Sequence, residues 1–329
     1  MPEAAPKFAT NNALGTHPAQ LPTSVRVVEV GPRDGLQNER LPIPTSTKLA
    51  FIDQLSLSGL RDIEVTSFVR PGAIPQLSDA EEVMGVIEIR PGVRYSALIP
   101  NVRGLERWLA CVERIPAGSR SVAFFTAASE SFNLRNTQAT IAESLDRLRD
   151  ILARLDRETE NGRPFVRGYV STTFRCPFEG WIEPAAVRSV CDGLLDLGVD
   201  ELSLGDTVGA ATPEHVFRLL DEINPAVGTD RIAMHFHDTR GTALANVLAA
   251  MTMGITIFDS SAGGLGGCPY APGATGNLAT EDLLYMLAGM NIETRVSLPV
   301  VVDASRIIEA TLDHPLPSRE LRAFVTGGY

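Results

Sequence analysis

Two histidines spaced two apart, His235 and His237, lie in the apolar run RIAMHFH (231–237), and Asp238 follows at once. Alternate residues of a strand point to one side, so both imidazoles share a face. An HxH pair of this kind can be two core imidazoles satisfied by backbone carbonyls. At the ligand end of a barrel strand it reads instead as half of a divalent-cation site. Asp34, in VEVGPRDGLQNE, is the candidate third ligand. Imidazole, carboxylate and oxygen donors together suit a borderline-to-hard ion such as Mg²⁺, Mn²⁺ or Zn²⁺. Arg33 beside Asp34 is either a salt-bridge partner or, next to a cation, a guanidinium aimed at a developing enolate.

The stretch GGLGGCPYAPGATGN (263–277) holds six glycines and fits no GxGxxG or Walker pattern. That density calls for positive φ or mobility, as in a lid over a site. It carries Cys268 between Gly267 and Pro269, where the thiol is either inert packing or a chemical group. Asn277 can cap the helix that follows, NLATEDLLYML, or offer its amide oxygen to the cation.

These residues need a scaffold that gathers distant segments. Eight strand-like runs begin at residues 25, 62, 94, 121, 166, 201, 231 and 256, with helically periodic segments between them. Thr212 with Pro213 marks the start of one such helix, PEHVFRLLDEI. Eight β/α units in this length predict an α/β fold, a (β/α)₈ TIM barrel. Residues 1–24 read as a flexible tail, 25–329 as one catalytic domain, and 289–329 within it as a short C-terminal helical extension of one or two capping helices. In such a barrel, function sits at the strands' C-terminal ends. Polar residues gather there: GPRDG (31–35), Glu64 with Thr66 and Ser67, Asp206 with Thr207, then His235, His237 and Asp238. Strand eight closes on strand one, so Asp34 can reach the histidines of strand seven.

The composition narrows the class. The chain has 329 residues, a net charge of −11 and 44% hydrophobic content. A compact globular protein with no nucleic-acid partner and no membrane partner is expected. Lys7 and Lys48 are the only lysines, so anionic ligands meet guanidinium groups, backbone amides or a metal. Cys111, Cys176, Cys191 and Cys268 show no CxxC pairing, which argues against a zinc finger or disulfide scaffold and favours a reducing, cytoplasmic setting. The first two dozen residues lack the apolar region of a secretory signal and the arginines of a mitochondrial leader.

The segments VEVGPRDGLQNE, IEVTSFV, VRGYVS, SLGDTVG, HFHDTRGTALAN and GLGGCPYAPGATGNLATEDLLYML carry a resemblance over nearly all of 25–290. The chain resembles the 3-hydroxy-3-methylglutaryl-CoA lyases of the metal-dependent TIM-barrel lyase and Claisen-condensing group. The resemblance implies retro-Claisen cleavage of that acyl-CoA thioester to acetyl-CoA and acetoacetate, as in leucine degradation. It implies Asp34, His235, His237 and Asn277 as ligands of Mg²⁺ or Mn²⁺, and Arg33 as the stabiliser of the enolate. Cys268 matches the loop cysteine assigned to proton transfer, and Glu64 and Asp206 match acids needed near the site. The initial base stays open among His235, Asp34 and Cys268. A homodimer or higher homo-oligomer is implied as well.

One stretch departs from the pattern: STTFRCPFEG (171–180) stands where relatives tend to read SCxxGCPYEG. Arg175 there either faces solvent or meets a substrate carboxylate or phosphate, which opens the choice of acyl group. Citramalyl-CoA, cleaved to pyruvate and acetyl-CoA, is the alternative substrate. A Claisen-condensing synthase of the same group is a further alternative, disfavoured because fewer than fifty residues follow the barrel. A non-catalytic acyl-CoA-binding barrel would lack a ligand or the loop cysteine; both are present.

Overall fold

The structure, a computed structural model, describes residues 21–159, 162–267 and 276–327. Eight parallel strands form a closed barrel: β1 (Arg26–Glu29), β2 (Asp62–Ser67), β3 (Arg94–Leu98), β4 (Arg120–Ala127), β5 (Phe165–Ser171), β6 (Glu201–Asp206), β7 (Ile232–Phe236) and β8 (Ile257–Ser260). Each pairs with its neighbour in chain order, and β8 pairs with β1, so the expected (β/α)₈ barrel is the fold. The ring of helices is α1 (Thr45–Leu57), α2 (Ala80–Val86), α3 (Val102–Val112), α4 (Glu130–Thr137), α5 (Ile141–Glu158), α6 (Pro184–Asp196), α7 (Pro213–Val227), α8 (Ala243–Thr252) and α9 (Thr280–Gly289). Two more helices, α10 (Leu298–Glu309) and α11 (Arg319–Val325), make the C-terminal extension.

Helix α5 shows how sequence builds one unit. Thr140 accepts from Glu143 N–H while the Glu143 side chain accepts from Thr140 N–H, a capping box. Behind it Leu148, Ile151, Leu152 and Leu155 fall on one stripe and are buried. Outward strand residues such as Ile63, Val65, Leu202 and Leu204 meet helix residues such as Phe51, Trp108 and Leu194 in one core. Burial of such side chains contributes about 1.5–3 kcal/mol each.

The lumen is different. Apolar residues there form small groups, such as Val28, Val30, Ala233 and Ile257, and Leu98, Ala123 and Tyr169 with Phe125. Between them charged side chains pair across the barrel. Arg26 on β1 donates to Asp62 at 2.8 Å and to Glu201, and Arg94 donates to the other oxygen of Asp62 at 2.6 Å. Arg167 on β5 bridges Glu201 at 2.8 Å and Asp259 at 2.6 Å.

Some expectations change in detail. Thr23 and Ser24, assigned by sequence to the tail, pair instead with Glu293 near the start of the C-terminal extension, so regular backbone pairing begins just before β1. Residues 1–20 of the expected tail lie outside the described residues. A small hairpin pairs Arg175–Cys176 with Gly180–Trp181, and α4 was not foreseen. Among the described residues no helix is long and apolar enough to cross a membrane. Cys111, Cys176 and Cys191 are free thiols.

Candidate active site

After β1 the chain makes a π-helical turn, Gly31–Gly35. The N–H groups of Arg33, Asp34 and Gly35 all donate to Val30 O, at 3.2, 2.7 and 3.2 Å. Wide turns of this kind recur at functional sites. Glycine is required at both ends: a Cβ on Gly31 would stand 2.6 Å from Glu29 Oε1, and one on Gly35 2.7 Å from Leu265 Cβ. The turn brings Arg33 and Asp34 to a cavity of about 540 Å³ at the strands' C-terminal ends. His235, His237, Tyr169 and Asn136 also line it.

Strand β7 ends at Phe236, one residue earlier than the alternation predicts. His237 instead forms an isolated bridge with Asn277, which draws the end of the glycine-rich stretch onto the site. One ligand atom from each of Asp34, His235 and His237 lies within 4.8 Å of the others. His235 Nε2 and Asp34 Oδ2 stand 3.9 Å apart, beyond hydrogen-bond reach. Two ligands about 2.1 Å from one Mg²⁺ stand about 3–4.2 Å from each other.

The polar groups fit a cation. Asn277 is 3% exposed and His237 4%, yet Asn277 Oδ1 and His237 Nδ1 have no hydrogen-bond partner. Each such buried group costs about 1–3 kcal/mol if left unmatched. Burial pushes the His237 imidazole down to about 4, with His235 beside it adding to the effect, so its lone pair is free near neutral pH. Burial disfavours the Asp34 carboxylate, but Arg33 and the two imidazoles outweigh it and hold the carboxyl below its usual range. For His235, burial is overcome by Asp259 and Asp34, and its value is raised.

Arg33 is held from two sides. Nε donates to Glu64 Oε1, and Nη1 donates to Asp34 Oδ1 at 2.6 Å. Tyr169 donates its hydroxyl to Glu64 Oε2 and accepts from Arg167 Nη1 at 3.0 Å. Glu64 is thus buried behind Arg33 rather than open to the cavity. Asp206, also fully buried, spends its two oxygens on Ala210 and Ala211 N–H, both at 2.9 Å, and lies outside the cavity lining. Burial, against those two donors, lifts its carboxyl to about 6.

Asn277 is not the helix cap: α9 starts at Thr280 with Ala279 in the cap position. Its Nδ2 donates instead to Asp34 Oδ2 at 2.9 Å and Leu265 O at 3.1 Å, and its buried Oδ1 has no partner. The expected positive φ is present at Gly263, Gly264, Gly266 and Gly276. Cys268 and the middle of the expected lid, 268–275, lie outside the described residues. Arg175, read from sequence as facing solvent or meeting a substrate anion, lies over the Trp181 ring at 5.5 Å and is not among the residues lining the cavity.

Sequence reading missed Asp259, Arg167, Tyr169 and Ser203, which surround His235 and Arg33. A charged residue in a fully buried strand was the available signal, since such a group must find a partner across the lumen.

The HMGL-like family matches residues 24–308. Hydroxymethylglutaryl-CoA lyase of Bacillus subtilis is 47% identical over 303 residues, covering 92% of this chain and 98% of that protein. A Pseudomonas aeruginosa relative named 3-hydroxy-3-isohexenylglutaryl-CoA/hydroxy-methylglutaryl-CoA lyase is 46% identical over 93% of this chain and 98% of its own. The structure of an HMG-CoA lyase from Acinetobacter baumannii, in complex with coenzyme A and 3-methylmalate, superposes with a TM-score of 0.84 at 40% identity, covering 92% of this chain and 95% of that one.

Proposed function

This chain belongs to the HMGL-like family, and from that premise we propose that Asp34, His235, His237 and Asn277 hold Mg²⁺ or Mn²⁺ beside Arg33 at the seat of a carbon–carbon lyase. The reaction is cleavage of 3-hydroxy-3-methylglutaryl-CoA to acetyl-CoA and acetoacetate. The observation that carries the reading is the convergence of the three ligand side chains within 4.8 Å, with an unmatched Asn277 Oδ1 alongside.

The chemistry asks for three things. The tertiary hydroxyl must lose its proton, the C2–C3 bond must break with its electrons passing to the thioester enolate, and the enolate carbon must take up a proton. A divalent cation, when bound, supplies Lewis acidity to hydroxyl and carboxylate oxygens. Arg33 has five N–H groups and spends one on Glu64 and one on Asp34, so three remain for the enolate oxygen. Glu64, pinned by Tyr169, fixes the guanidinium plane so that it does not reorganise as charge develops. Asp206 sets the β6–α7 turn rather than touching the reacting atoms. His235, Asp34 and Cys268 are the candidate initial bases, and Cys268 is the proposed proton donor to the enolate carbon. The protein is further proposed to work in the cytoplasm, in keeping with three free thiols among its described cysteines, and to form a homo-oligomer.

The hydroxymethylglutaryl thioester is preferred to citramalyl-CoA because the relatives of 46–47% identity are named for it and Arg175 of the divergent hairpin is not among the residues lining the cavity. The test is turnover with Mn²⁺ on a panel of 3-hydroxyacyl-CoA thioesters: hydroxymethylglutaryl, isohexenylglutaryl and citramalyl. Acetoacetate formed from the first at a rate well above the others is expected. Negligible turnover of it, with fast release of pyruvate from the citramalyl thioester, would overturn the assignment.

A further inference from the structure

We propose that Asp259 is a positioning residue that fixes the tautomer and direction of His235, so that Nε2 offers its lone pair to the cation. The inference rests on the reading of Asp34, His235, His237 and Asn277 as the cation site.

The contact follows from barrel register. Asp259 on β8 lies directly opposite His235 on β7, and both side chains enter the lumen. Asp259 is 2% exposed. Its Oδ2 stands 3.2 Å from His235 Nδ1 and accepts from Ser203 Oγ at 2.7 Å. Its Oδ1 accepts from Arg167 Nη2 at 2.6 Å. Arg167 is itself anchored to Glu201, so the carboxylate is clamped from three strands. A carboxylate paired with a guanidinium is an acceptor only, and whatever it shares with His235 must be a hydrogen carried by Nδ1. A neutral imidazole then has its lone pair on Nε2, the atom that faces Asp34 at 3.9 Å. Carboxylates behind metal-bound histidines typically account for 10–100-fold in metal affinity.

Two measurements test this. In metal-free protein at pH 9, ¹⁵N NMR of the His235 ring is expected to report hydrogen on Nδ1; hydrogen on Nε2 in the unaltered protein would overturn the inference without any variant. In Asp259→Asn, Arg167 can bond only the amide oxygen, so the amide NH₂ turns to Nδ1 and forces it to accept. The tautomer is expected to reverse and the Mn²⁺ Kd, measured on the apo-protein by EPR of free Mn²⁺, to rise 10–100-fold. A Kd within twofold of wild type would refute the proposal. Asp34→Ala and His237→Ala separate the two layers: both are expected to weaken Mn²⁺ binding sharply. Unchanged binding in those two would remove the cation site itself, whereas weakened binding there with an unaffected Asp259→Asn would remove only the role of Asp259.

Discussion

Replacing Arg33 by Lys tests the electrophilic half of the site. The substitution keeps one positive charge and most of the buried stem, but a lysine is a point charge where the guanidinium is a fork. Arg33 Nε is committed to Glu64 and one Nη1 hydrogen to Asp34. The remaining three hydrogens, one on Nη1 and two on Nη2, can reach an enolate oxygen while the other two hold the plane. An ammonium that stays with Glu64 and Asp34 has at most one hydrogen left, with no rigid frame to aim it. The loss is thus at least one preorganised donor to developing negative charge, which costs about 2.7–4 kcal/mol, or about 10²–10³ in kcat. Because the enolate oxygen is a neutral carbonyl in the ground state, KM should move by less than about threefold. Acetoacetate release under saturating Mn²⁺ and substrate gives kcat and KM separately, and Mn²⁺ affinity, measured independently, should change little because Asp34 keeps Asn277. A variant that retains kcat within a few-fold, or loses efficiency only through KM, would refute the argument that Arg33 acts on the transition state.

Removing metal with a chelator should abolish turnover, and Mn²⁺ or Mg²⁺ should restore it; full activity in exhaustively chelated protein would contradict the assignment. Gly35→Ala should be destabilising by about 1–3 kcal/mol, since the new methyl would lie 2.7 Å from Leu265 Cβ and 2.8 Å from Ser261 Oγ. Denaturation midpoints check this, and weaker Mn²⁺ binding should accompany it because Asp34 rides on the same turn. Glu29 and Glu281 are fully buried, and burial lifts them to about 7 and about 8 from 4.5 despite their donors at Ala262, Gly263, Thr280 and Ser305. The folded state therefore keeps protons that the unfolded chain releases above about pH 4.5. Stability from these groups is full below that pH and is lost as pH rises through about 7 to 8, by about 1.4 kcal/mol for each pH unit over which a proton is held only in the folded state. Glu281→Gln should flatten the fall in stability between pH 5.5 and 8.5, and an unchanged slope would show that Glu281 ionises without cost.

How much of this was readable in the chain depends on how far apart the partners are. Strand parity put His235 and His237 on one face, and closure of β8 on β1 put Asp34 beside them; both are consequences of periodicity and of a closed sheet, and both are present. The role of Asn277 could not be chosen by composition, because an asparagine before a helix is equally a cap or a ligand. The cap role is excluded by Ala279, which pairs with Ser261 and takes the cap position two residues later, leaving the Asn277 amide between Asp34 and Leu265. Arg167 and Asp259 are 92 residues apart, and Glu64 and Tyr169 are 105 apart. No local pattern links such pairs. Yet a (β/α)₈ barrel fixes which inward residues meet at each level, so charged residues at inward positions of buried strands must be matched across the lumen or suffer several kcal/mol of desolvation. The lumen of this barrel consequently holds one connected network running from Arg94 through Asp62, Arg26, Glu201 and Arg167, and on to His235 by way of Asp259 and to Arg33 by way of the Tyr169 hydroxyl and Glu64. A scaffold of that kind holds Arg33 and His235 by charge and hydrogen bonds, which is why the residues that orient them look, in sequence, like anomalies in otherwise apolar strands.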